Sequence, residues 1–441
     1  MPAEPDAGPA RGIMIAAPSS GAGKTTITLA LIRALRNQGR SVVSAKSGPD
    51  YIDPRFHEAA GGAPCVNLDA WAMDRATIGS LAAGQGAEHD LMIVEGAMGL
   101  FDGAANGQGS AAALAASLSV PVVLVVDCAR QSQSIAALVH GFRTYRADID
   151  IAGVVLNRVG SARHENMLRS ALASLSVTVF GALPRTPDLV LPERHLGLVQ
   201  ALEHADLEMF LERAADLCSQ NIDLSAIESC SASIAGSSHE KAGLPEPLGQ
   251  RIAIARDVAF AFSYQHLLEF WRREGADLTF FSPLADEGPD PEADAVFLPG
   301  GYPELHAAKL AAGGNFKAGL CEAARAGSLI YGECGGYMVL GQGLVDADGA
   351  THEMLGLLPL ETSFADRSRH LGYRTLEPLA SLPWNTCLSA HEFHYATILR
   401  EGNADRLFRA ADAEGSALPD MGLRDGAVMG SFAHVIARQE A

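Results

Sequence analysis

The chain has 441 residues, of which 48% are hydrophobic and 19% charged, and its formal net charge is −19 at pH 7. This length predicts two globular domains, and the negative charge argues against nonspecific nucleic-acid binding. We expect no membrane partner, because no apolar run approaches the ~18 residues of a membrane helix and the start lacks a secretory pattern. Seven scattered cysteines without a CxxC pair indicate neither a disulfide framework nor a zinc site, so we expect a cytoplasmic protein.

The first half of the chain alternates short β-branched runs with helical stretches. Runs that are apolar on both faces, as in a buried parallel sheet, lie at 12–17, 41–46, 90–96, 120–127, 151–157 and 177–184. Between the first two, apolar residues recur at helical spacing. The alternation predicts a doubly wound α/β domain over residues 1–229.

Serine, glycine and proline dominate residues 230–250, where the apolar periodicity disappears, and this composition predicts a linker. A second set of buried strands is predicted at 251–256, 277–283, 294–301, 328–334, 374–379 and 427–437. Because the two halves share no repeat, we expect residues 251–441 to form a different α/β domain.

The stretch "APSSGAGKTT", residues 17–26, follows the first strand and opens a helix, which is the setting of a phosphate-binding P-loop. Its glycines let backbone N–H groups turn toward phosphate oxygens. One position departs from the usual pattern, because Pro18 stands where the first glycine is expected. A glycine-rich turn with a solvated lysine is the alternative. We expect ATP to contact Ser20, Gly21, Ala22, Gly23, Lys24, Thr25 and Thr26.

Acidic residues follow two further buried strands, in "KSGPDYIDP" and "VEGAMGLFDG". We expect Asp50 and Glu95 to bind Mg²⁺ together with the Thr25 hydroxyl. A turn or N-cap role is the alternative, above all for Asp53, because Asp-Pro favours turns. Asn157 ends "GVVLN" and is expected at the adenine edge, with an ordinary loop asparagine as the alternative.

A G-x-C-x-G pattern, "GECGG", ends the strand predicted at 328–334 and is the thiol form of the nucleophile elbow. We expect Cys334 to be a nucleophile, with its thiolate favoured by the following helix N-terminus. The Gly335 N–H group, together with one from Gly301, is expected to stabilise an oxyanion. The alternative is a cysteine that only fills the core.

The thiol needs a base, and His434 in "GSFAHVIA" is the expected one. His391 and His394 in "SAHEFHY" compete for this role, and a core histidine is the alternative for His434. A thiol that hydrolyses an amide and a P-loop that uses ATP, joined in one chain, predict ATP-driven amidation. Ammonia released from glutamine would displace phosphate from an activated carboxylate.

Over nearly its whole length the chain resembles the corrin a,c-diamide synthases, which are cobyrinate-type glutamine amidotransferases. The resemblance rests on "APSSGAGKTT", "KSGPDYIDP", "VEGAMGLFDG", "LNRVGSARH", "PERHLGL", "RIAIARDVAFAFSY", "FLPGGYPE", "YGECGGYMVLG" and "HEFHY". It implies a dethiobiotin-synthetase-like N-terminal domain and a class I glutamine amidotransferase domain. It also implies that Cys334 and His434 act on glutamine and that Lys24 and Thr25 act on ATP and magnesium.

The implied reaction amidates the a and c acetate carboxylates of a corrin, hydrogenobyrinic or cobyrinic acid, through an acyl phosphate. ATP and glutamine are co-substrates, Mg²⁺ is the cofactor, and the corrin is expected at Lys46, Asp50, Tyr51 and Asp102. An exposed loop lysine is the alternative for Lys46. Class I enzymes usually carry a glutamate two residues after the histidine, where this chain has Ile436. The group that orients His434 is therefore open, and a backbone carbonyl would serve.

Three other functions are alternatives. Nickel-sirohydrochlorin a,c-diamide synthase and cobyric acid synthase are the nearest enzymes. A partition-type P-loop ATPase is the alternative from another class, but it carries a lysine early in the loop where this chain has Ser19, and it leaves Cys334 unexplained. The sequence leaves open whether the acceptor contains cobalt and whether the chain forms a homodimer.

Overall fold

The computed structural model describes residues 10–186, 189, 193–194, 197–198, 200–204, 206–236, 243–381 and 383–439. The chain divides into two compact units, residues 1–242 and 243–441. The division falls inside the segment predicted as a linker. From that segment, Cys230 ends a helix of the first unit, whereas Leu244 and Leu248 are buried in the second. Among the described residues, no helix has both the length and the apolar character needed to cross a membrane.

The first unit is built on a parallel sheet. Its strands are β1 (Arg11–Ala16), β2 (Val42–Ser47), β3 (Cys65–Leu68), β4 (Leu91–Glu95), β5 (Val122–Asp127), β6 (Ile151–Val159), β7 (Thr178–Pro184), β8 (Glu193–Arg194), β9 (Gly197–Leu198) and β10 (Ala232–Ser233). Its helices are α1 (Lys24–Asn37), α2 (Asp53–Gly61), α3 (Arg75–Gly86), α4 (Ala111–Leu118), α5 (Ile135–Tyr145), α6 (Ala162–Ala173), α7 (Leu207–Asn221) and α8 (Leu224–Cys230).

The main sheet of this unit has the order β3-β2-β4-β1-β5-β6-β7, and β10 pairs antiparallel with β1. This confirms the predicted α/β fold and each of the six predicted strands, to within a residue or two at their ends. Strand β3 was not predicted, because it spans only four residues and Asn67 interrupts its apolar run. Parallel pairing aligns Lys46 on β2 with Glu95 on β4, so the carboxyl ends of these strands bring both side chains to one edge.

The second unit combines parallel and antiparallel strands. Its strands are β11 (Arg251–Ala255), β12 (Asp277–Phe281), β13 (Ala295–Leu298), β14 (Leu329–Glu333), β15 (Gly343–Val345), β16 (Thr351–Glu353), β17 (Leu360–Ser363), β18 (His370–Pro378), β19 (Leu388–His394), β20 (Thr397–Glu401), β21 (Asp405–Ala411), β22 (Met421–Asp425), β23 (Val428–Ser431) and β24 (Ala433–Arg438). Its helices are α9 (Gln265–Arg273), α10 (Ala307–Ala312), α11 (Gly314–Ala326) and α12 (Gly335–Leu340).

The large sheet of the second unit has the order β12-β11-β13-β14-β23-β22-β21-β18-β19-β24. Strands β12, β11, β13, β14 and β23 are parallel, and the remainder pair antiparallel. The predicted single strand 427–437 is wrong in one respect, because Phe432 separates two strands with different partners. β23 pairs with β14, whereas β24 pairs with β19. The bend follows Ser431, whose Oγ accepts a hydrogen bond from the Ala433 N–H group at 3.3 Å.

Candidate active sites

The P-loop of the first unit connects β1 to α1. Gly21 and Gly23 have φ of 76° and 87°, a region that favours glycine. If Gly21 carried a Cβ, no atom beyond the adjoining residues would lie within 4 Å of it. Ser20 is exposed in the turn, while Ala22 is buried beneath it. Helix α1 then begins at Lys24. The backbone therefore has the shape that turns N–H groups toward an anion at a helix N-terminus.

Asn157, at the end of β6, supports this loop. Its Nδ2 donates to the Ala22 carbonyl at 2.8 Å, and its Oδ1 accepts from the Arg158 N–H group at 2.9 Å. A Cβ on Gly23 would lie 2.3 Å from Asn157 Nδ2, so the contact requires glycine there. A small cavity beside the loop is lined by residues from α1, β6, β7 and α7, among them Thr26, Asn157, Arg158 and Pro184.

Four polar side chains converge where β1, β2 and β4 end. Lys46 Nζ lies 2.5 Å from Asp53 Oδ2 and 2.9 Å from Glu95 Oε1. Thr25 Oγ1 donates to the same Glu95 oxygen at 2.7 Å and lies 3.4 Å from Asp53 Oδ2. Lys24 Nζ, nearby in sequence, donates to the Met98 carbonyl at 2.7 Å. The hydroxyl and two carboxylates are hard oxygen donors, which is the chemistry that Mg²⁺ prefers.

The two aspartates of "KSGPDYIDP" have different contacts. Asp53, for which a turn or N-cap role was the alternative, begins α2 and also reaches Thr25 and Lys46. Asp50, expected on the metal, uses Oδ1 to accept the N–H groups of Ile52 and Asp53 at 2.8 and 3.0 Å. Its Oδ2 is 4.0 Å from Lys46 Nζ. Asp50 thus closes the turn that presents Asp53.

Burial and mutual charge set the protonation of this cluster. Burial opposes the charge of Lys46, but Asp53 and Glu95 raise its pKa above the usual 10.5. Burial also opposes the charge of Glu95, yet Lys46 and then His57 hold its pKa well below the usual 4.5. Burial and the charge of Asp50 raise the pKa of Asp53 to about 6, and burial followed by repulsion from Lys46 lowers that of Lys24 to about 8.

His57 belongs to this cluster and was missed from the sequence. It lies one helical turn after Asp53 on α2, is fully buried, and places Nε2 2.7 Å from Glu95 Oε2. Although burial opposes it, Cys65 Sγ beside Nδ1 and the Glu95 carboxylate raise the pKa of His57 to about 10. The i, i+4 spacing of Asp53 and His57 was the available signal, since it puts both on one helix face.

The residues expected at the corrin are spread around the same edge of the sheet. Lys46 is 3% exposed and Tyr51 is 8% exposed, so Lys46 is not the exposed loop lysine held as the alternative. Asp102 is exposed, and its Oδ2 accepts the Gly99 N–H group at 3.0 Å, which holds the turn carrying Met98.

In the second unit, Cys334 occupies the bend between β14 and α12. Its φ of 46° is unusual for a residue other than glycine and marks a strained elbow. The Cys334 N–H group donates to the Ser431 carbonyl at 2.8 Å. A Cβ on Gly335 would lie 3.0 Å from the Gly301 backbone nitrogen, so the two glycines expected to form the oxyanion site are adjacent.

His434 lies beside the cysteine. A Cβ on Gly300 would lie 2.3 Å from His434 Cε1, 3.0 Å from its Nε2 and 3.1 Å from Cys334 Cβ. Burial, reinforced by His391 and His394, lowers the pKa of His434 to about 3. Burial, followed by the charge of Glu304, raises the pKa of the Cys334 thiol, so the pair rests as neutral thiol and neutral imidazole. Both shifts oppose the resting thiolate expected from the helix N-terminus.

Glu333, directly before the nucleophile, was not among the predicted site residues. Its Oε2 is 3.7 Å from His434 Nδ1, and its Oε1 accepts the Val435 N–H group at 3.0 Å. Burial raises the pKa of Glu333 to about 8, against the opposing hydrogen bond from Val435. Its position in "GECGG" was a weak signal, because a glutamate at the end of a buried strand needs a polar partner.

The two competing histidines lie on β19 next to β24. His391 is opposite His434 in the antiparallel register, while His394 Nε2 is 2.9 Å from Glu392 Oε1. His370, Glu392 and His394 place one ligand atom each within 4.8 Å of one another. However, the rings of His370 and His394 stack nearly parallel, 10° apart, and Arg374 lies 2.7 Å from Glu392 Oε2. This group therefore fits an ion-pair network better than a metal site.

The two units match two known domain families. Residues 251–441 match the CobB/CobQ-like glutamine amidotransferase domain, and residues 13–199 match the CobQ/CobB/MinD/ParA nucleotide binding domain. Together with the sites described above, these domains define a glutamine-hydrolysing, nucleotide-dependent amidating ligase.

Relatives that match over the full length narrow this class. A protein of Brucella anthropi named hydrogenobyrinate a,c-diamide synthase is 60% identical over 431 residues, which cover 97% of this chain and 98% of that protein. Proteins with the same name from Rhizobium meliloti and Rhodobacter capsulatus are 57% and 52% identical, and each alignment covers at least 96% of both chains. The chain belongs to the hydrogenobyrinate a,c-diamide synthase family, which confirms the resemblance drawn from the motifs.

Proposed function

We propose that this chain amidates the a and c acetate carboxylates of hydrogenobyrinate, using ATP and glutamine. The observation that carries the proposal is the pairing of two sites in one chain. One unit holds a P-loop beside Thr25, Asp53 and Glu95, and the other holds Cys334 beside His434. The metal-free acceptor is the one that the relatives' names contain.

In the glutaminase half-reaction, Cys334 Sγ attacks the side-chain amide carbon of glutamine while His434 accepts the thiol proton. The proton then passes to the departing ammonia, and water hydrolyses the remaining thioester. The N–H groups of Gly301 and Gly335 stabilise the oxyanion. Because both partners are neutral at rest, the proton transfer accompanies attack on the substrate instead of preceding it.

In the synthetase half-reaction, the acceptor carboxylate attacks the γ-phosphate of ATP, and ammonia displaces phosphate from the acyl phosphate. Lys24 and the loop formed by Ser20, Gly21, Ala22, Gly23 and Thr26 hold the phosphates, and the cavity beside Asn157 takes the adenine. Thr25, Asp53 and Glu95 hold Mg²⁺, with Asp50 fixing the turn that carries Asp53. The bound ion supplies positive charge to the phosphates.

The corrin lies against the same edge of the sheet, near Tyr51 and Asp102. Its reacting carboxylate competes with Asp53 and Glu95 for the Lys46 ammonium. In this structure the ammonium is paired with both of these carboxylates. A chain with net charge −19 needs such a local cation to hold a polyanionic acceptor.

The seven cysteines form no disulfide, which supports the cytoplasm as the working compartment. A homodimer is the assembly hypothesis, and light scattering of the purified chain tests it.

The test is an amidation assay with the purified chain, ATP, Mg²⁺, glutamine and either hydrogenobyrinate or its cobalt-containing counterpart. Mass spectrometry of the products is expected to show two carboxyl-to-carboxamide conversions on the metal-free acceptor. Absence of product with hydrogenobyrinate, under conditions where glutamine is hydrolysed, would exclude it as the substrate.

A further inference from the structure

Two sides of the His434 ring face two different groups. Nε2 and the Cβ of Cys334 border the same small space, because a Cβ on Gly300 would lie 3.0 Å from Nε2 and 3.1 Å from Cys334 Cβ. Nδ1 instead faces Glu333 Oε2 at 3.7 Å. The order of groups is therefore thiol, imidazole and carboxyl, which is the order that a hydrolytic triad requires.

The Glu333 carboxyl is held in place by the strand that carries the histidine. Oε1 accepts the backbone N–H group of Val435, the residue that follows His434. Glu333 ends β14, where parallel pairing aligns it with Ser431 just before the bend that leads into β24. The side chain is 3% exposed, so water competes little for either oxygen. One oxygen is thus anchored on the backbone while the other stays directed at the ring.

We propose that Glu333 is the positioning residue of the glutaminase site. It would serve in place of the glutamate that class I enzymes usually carry at the position of Ile436. This rests on the proposed roles of Cys334 and His434. At 3.7 Å the carboxylate acts on Nδ1 through its charge, and it favours the Nδ1–H tautomer, which keeps the Nε2 lone pair directed at the thiol. When Nε2 accepts the proton from Cys334 Sγ and the sulfur bonds to the amide carbon, Glu333 stabilises the imidazolium. The proton leaves with ammonia and none passes to Glu333, whose carboxylate is the form that acts.

Other titratable groups also face this site, and each can contribute to its pH dependence. They are His391, His394 and Glu392 on β19, Arg374 on β18, Glu304 near the thiol, and Tyr331 on β14, which lies beside the Glu333 carboxyl. Arg374 and His394 both lie within ion-pair distance of Glu392, so they offset the effect of its negative charge on His434. Because burial raises the pKa of Glu333 to about 8, its carboxylate forms as pH rises through that value. We expect glutamine turnover to rise over the same range.

The experiment measures glutamine-dependent and ammonia-dependent amidation by the full-length E333Q variant across pH. Glutamine-dependent kcat is expected to fall about tenfold to a hundredfold, with the KM for glutamine changed less than about twofold. The rise through pH 8 is expected to disappear, and ammonia-dependent amidation is expected to match the wild type at equal concentrations of unprotonated ammonia. E377Q is the matched control, because Glu377 is half-exposed on the same sheet and pairs with Arg409.

A wild-type kcat and pH profile in E333Q would overturn the proposal, as would an equal loss of both activities, which would mark Glu333 as structural. If E333Q does not fold, the E333D variant tests the proposal, because aspartate keeps the carboxylate but places it farther from His434 Nδ1. A lowered kcat that still rises through pH 8 supports the proposal, and an unchanged kcat contradicts it. Failure of the proposed function is a separate result, seen as glutamine-dependent amidation that survives in C334S.

Discussion

The Lys46 ammonium is almost fully buried in the first unit. Replacing Lys46 with methionine leaves Asp53 and Glu95 facing each other without the ammonium between them. It also removes the proposed contact of Lys46 with the corrin carboxylate. A charge-assisted hydrogen bond contributes ~1.5–3 kcal/mol. We expect K46M to lower kcat/KM for the corrin about tenfold to a hundredfold, with the KM for glutamine nearly unchanged.

Steady-state kinetics with each substrate varied in turn measure this effect. K309M on α10 is the control, because Lys309 is exposed and lies in the other unit. A loss smaller than about threefold in K46M would show that Lys46 does not bind the corrin carboxylate. Arg158, Arg163 and Arg194 would then be the candidates for that contact.

Glu95 joins three partners at once. Its Oε1 accepts from Thr25 and Lys46, and its Oε2 faces His57. Glutamine at this position keeps the volume but removes the charge, so we expect E95Q to lower synthetase turnover by ~10²-fold or more. Basal glutamine hydrolysis, assayed as glutamate release without corrin, is expected to survive. Amidation at the wild-type rate by E95Q would show that the ATP site has been misplaced.

The loop after β13 brings backbone rather than side chains to the cysteine. A methyl group on Gly300 would lie 2.3 Å from His434 Cε1 and 3.1 Å from Cys334 Cβ, closer than packed atoms allow. G300A is therefore expected to reduce glutamine-dependent turnover at least about tenfold, while ammonia-dependent turnover stays within about twofold of the wild type.

Comparison with G314A separates this effect from the cost of any glycine substitution. Gly314 begins α11 and has no neighbour within 4 Å of a built Cβ. Equal behaviour of the two variants would mean that the space around Gly300 does not govern the reaction.

Three buried histidines make the stability of the second unit depend on pH. Burial lowers the pKa of His266 to about 4 and those of His391 and His434 to about 3. Their unfolded pKa is ~6.5, so below that value the unfolded chain binds more protons and stability falls as pH drops. Glu333 has the opposite sign, because its folded pKa of about 8 lies above the unfolded value of 4.5, so its contribution falls as pH rises. We expect maximal stability close to pH ~6.5.

Urea unfolding followed by tryptophan fluorescence measures this dependence, since two of the three tryptophans, Trp271 and Trp384, lie in the second unit and only Trp71 lies in the first. On the acid side, each net proton changes the free energy of unfolding by about 1.4 kcal/mol per pH unit. H266Q keeps a side-chain donor for the Ile436 carbonyl and is expected to reduce the acid-side slope by about one proton. A free energy of unfolding that stays flat between pH 5 and 7 would contradict the neutral, buried state of these histidines.

Elements with a strong pattern were predictable, and contacts between them were not. Apart from β3, the apolar runs predicted the parallel strands of both main sheets, because a strand covered on both faces must be apolar throughout. The antiparallel strands β19, β21 and β22 of the second unit were not predicted. Nothing in "AVMGSFAHVIA" shows that Phe432 divides two strands with different partners, since both halves are equally apolar. Motifs likewise located Cys334 and Lys24. They did not reveal Glu333 near His434, because that approach depends on the three-dimensional path of β24.

At the scale of the whole molecule, the chemistry divides between the two units. The thiol and its base belong to the second unit, whereas Lys24, Lys46 and Glu95 belong to the first. Ammonia is the only product of the first half-reaction that the second requires. Supplying ammonia directly should therefore make the cysteine dispensable.

The most direct test of this division is the C334S variant, assayed for amidated corrin by mass spectrometry with either glutamine or a high concentration of ammonium as the nitrogen source. We expect no product with glutamine and wild-type amounts of the diamide with ammonium, because serine removes the nucleophile without touching the ATP site. Loss of both activities in a folded variant, or product formation from glutamine, would contradict the account.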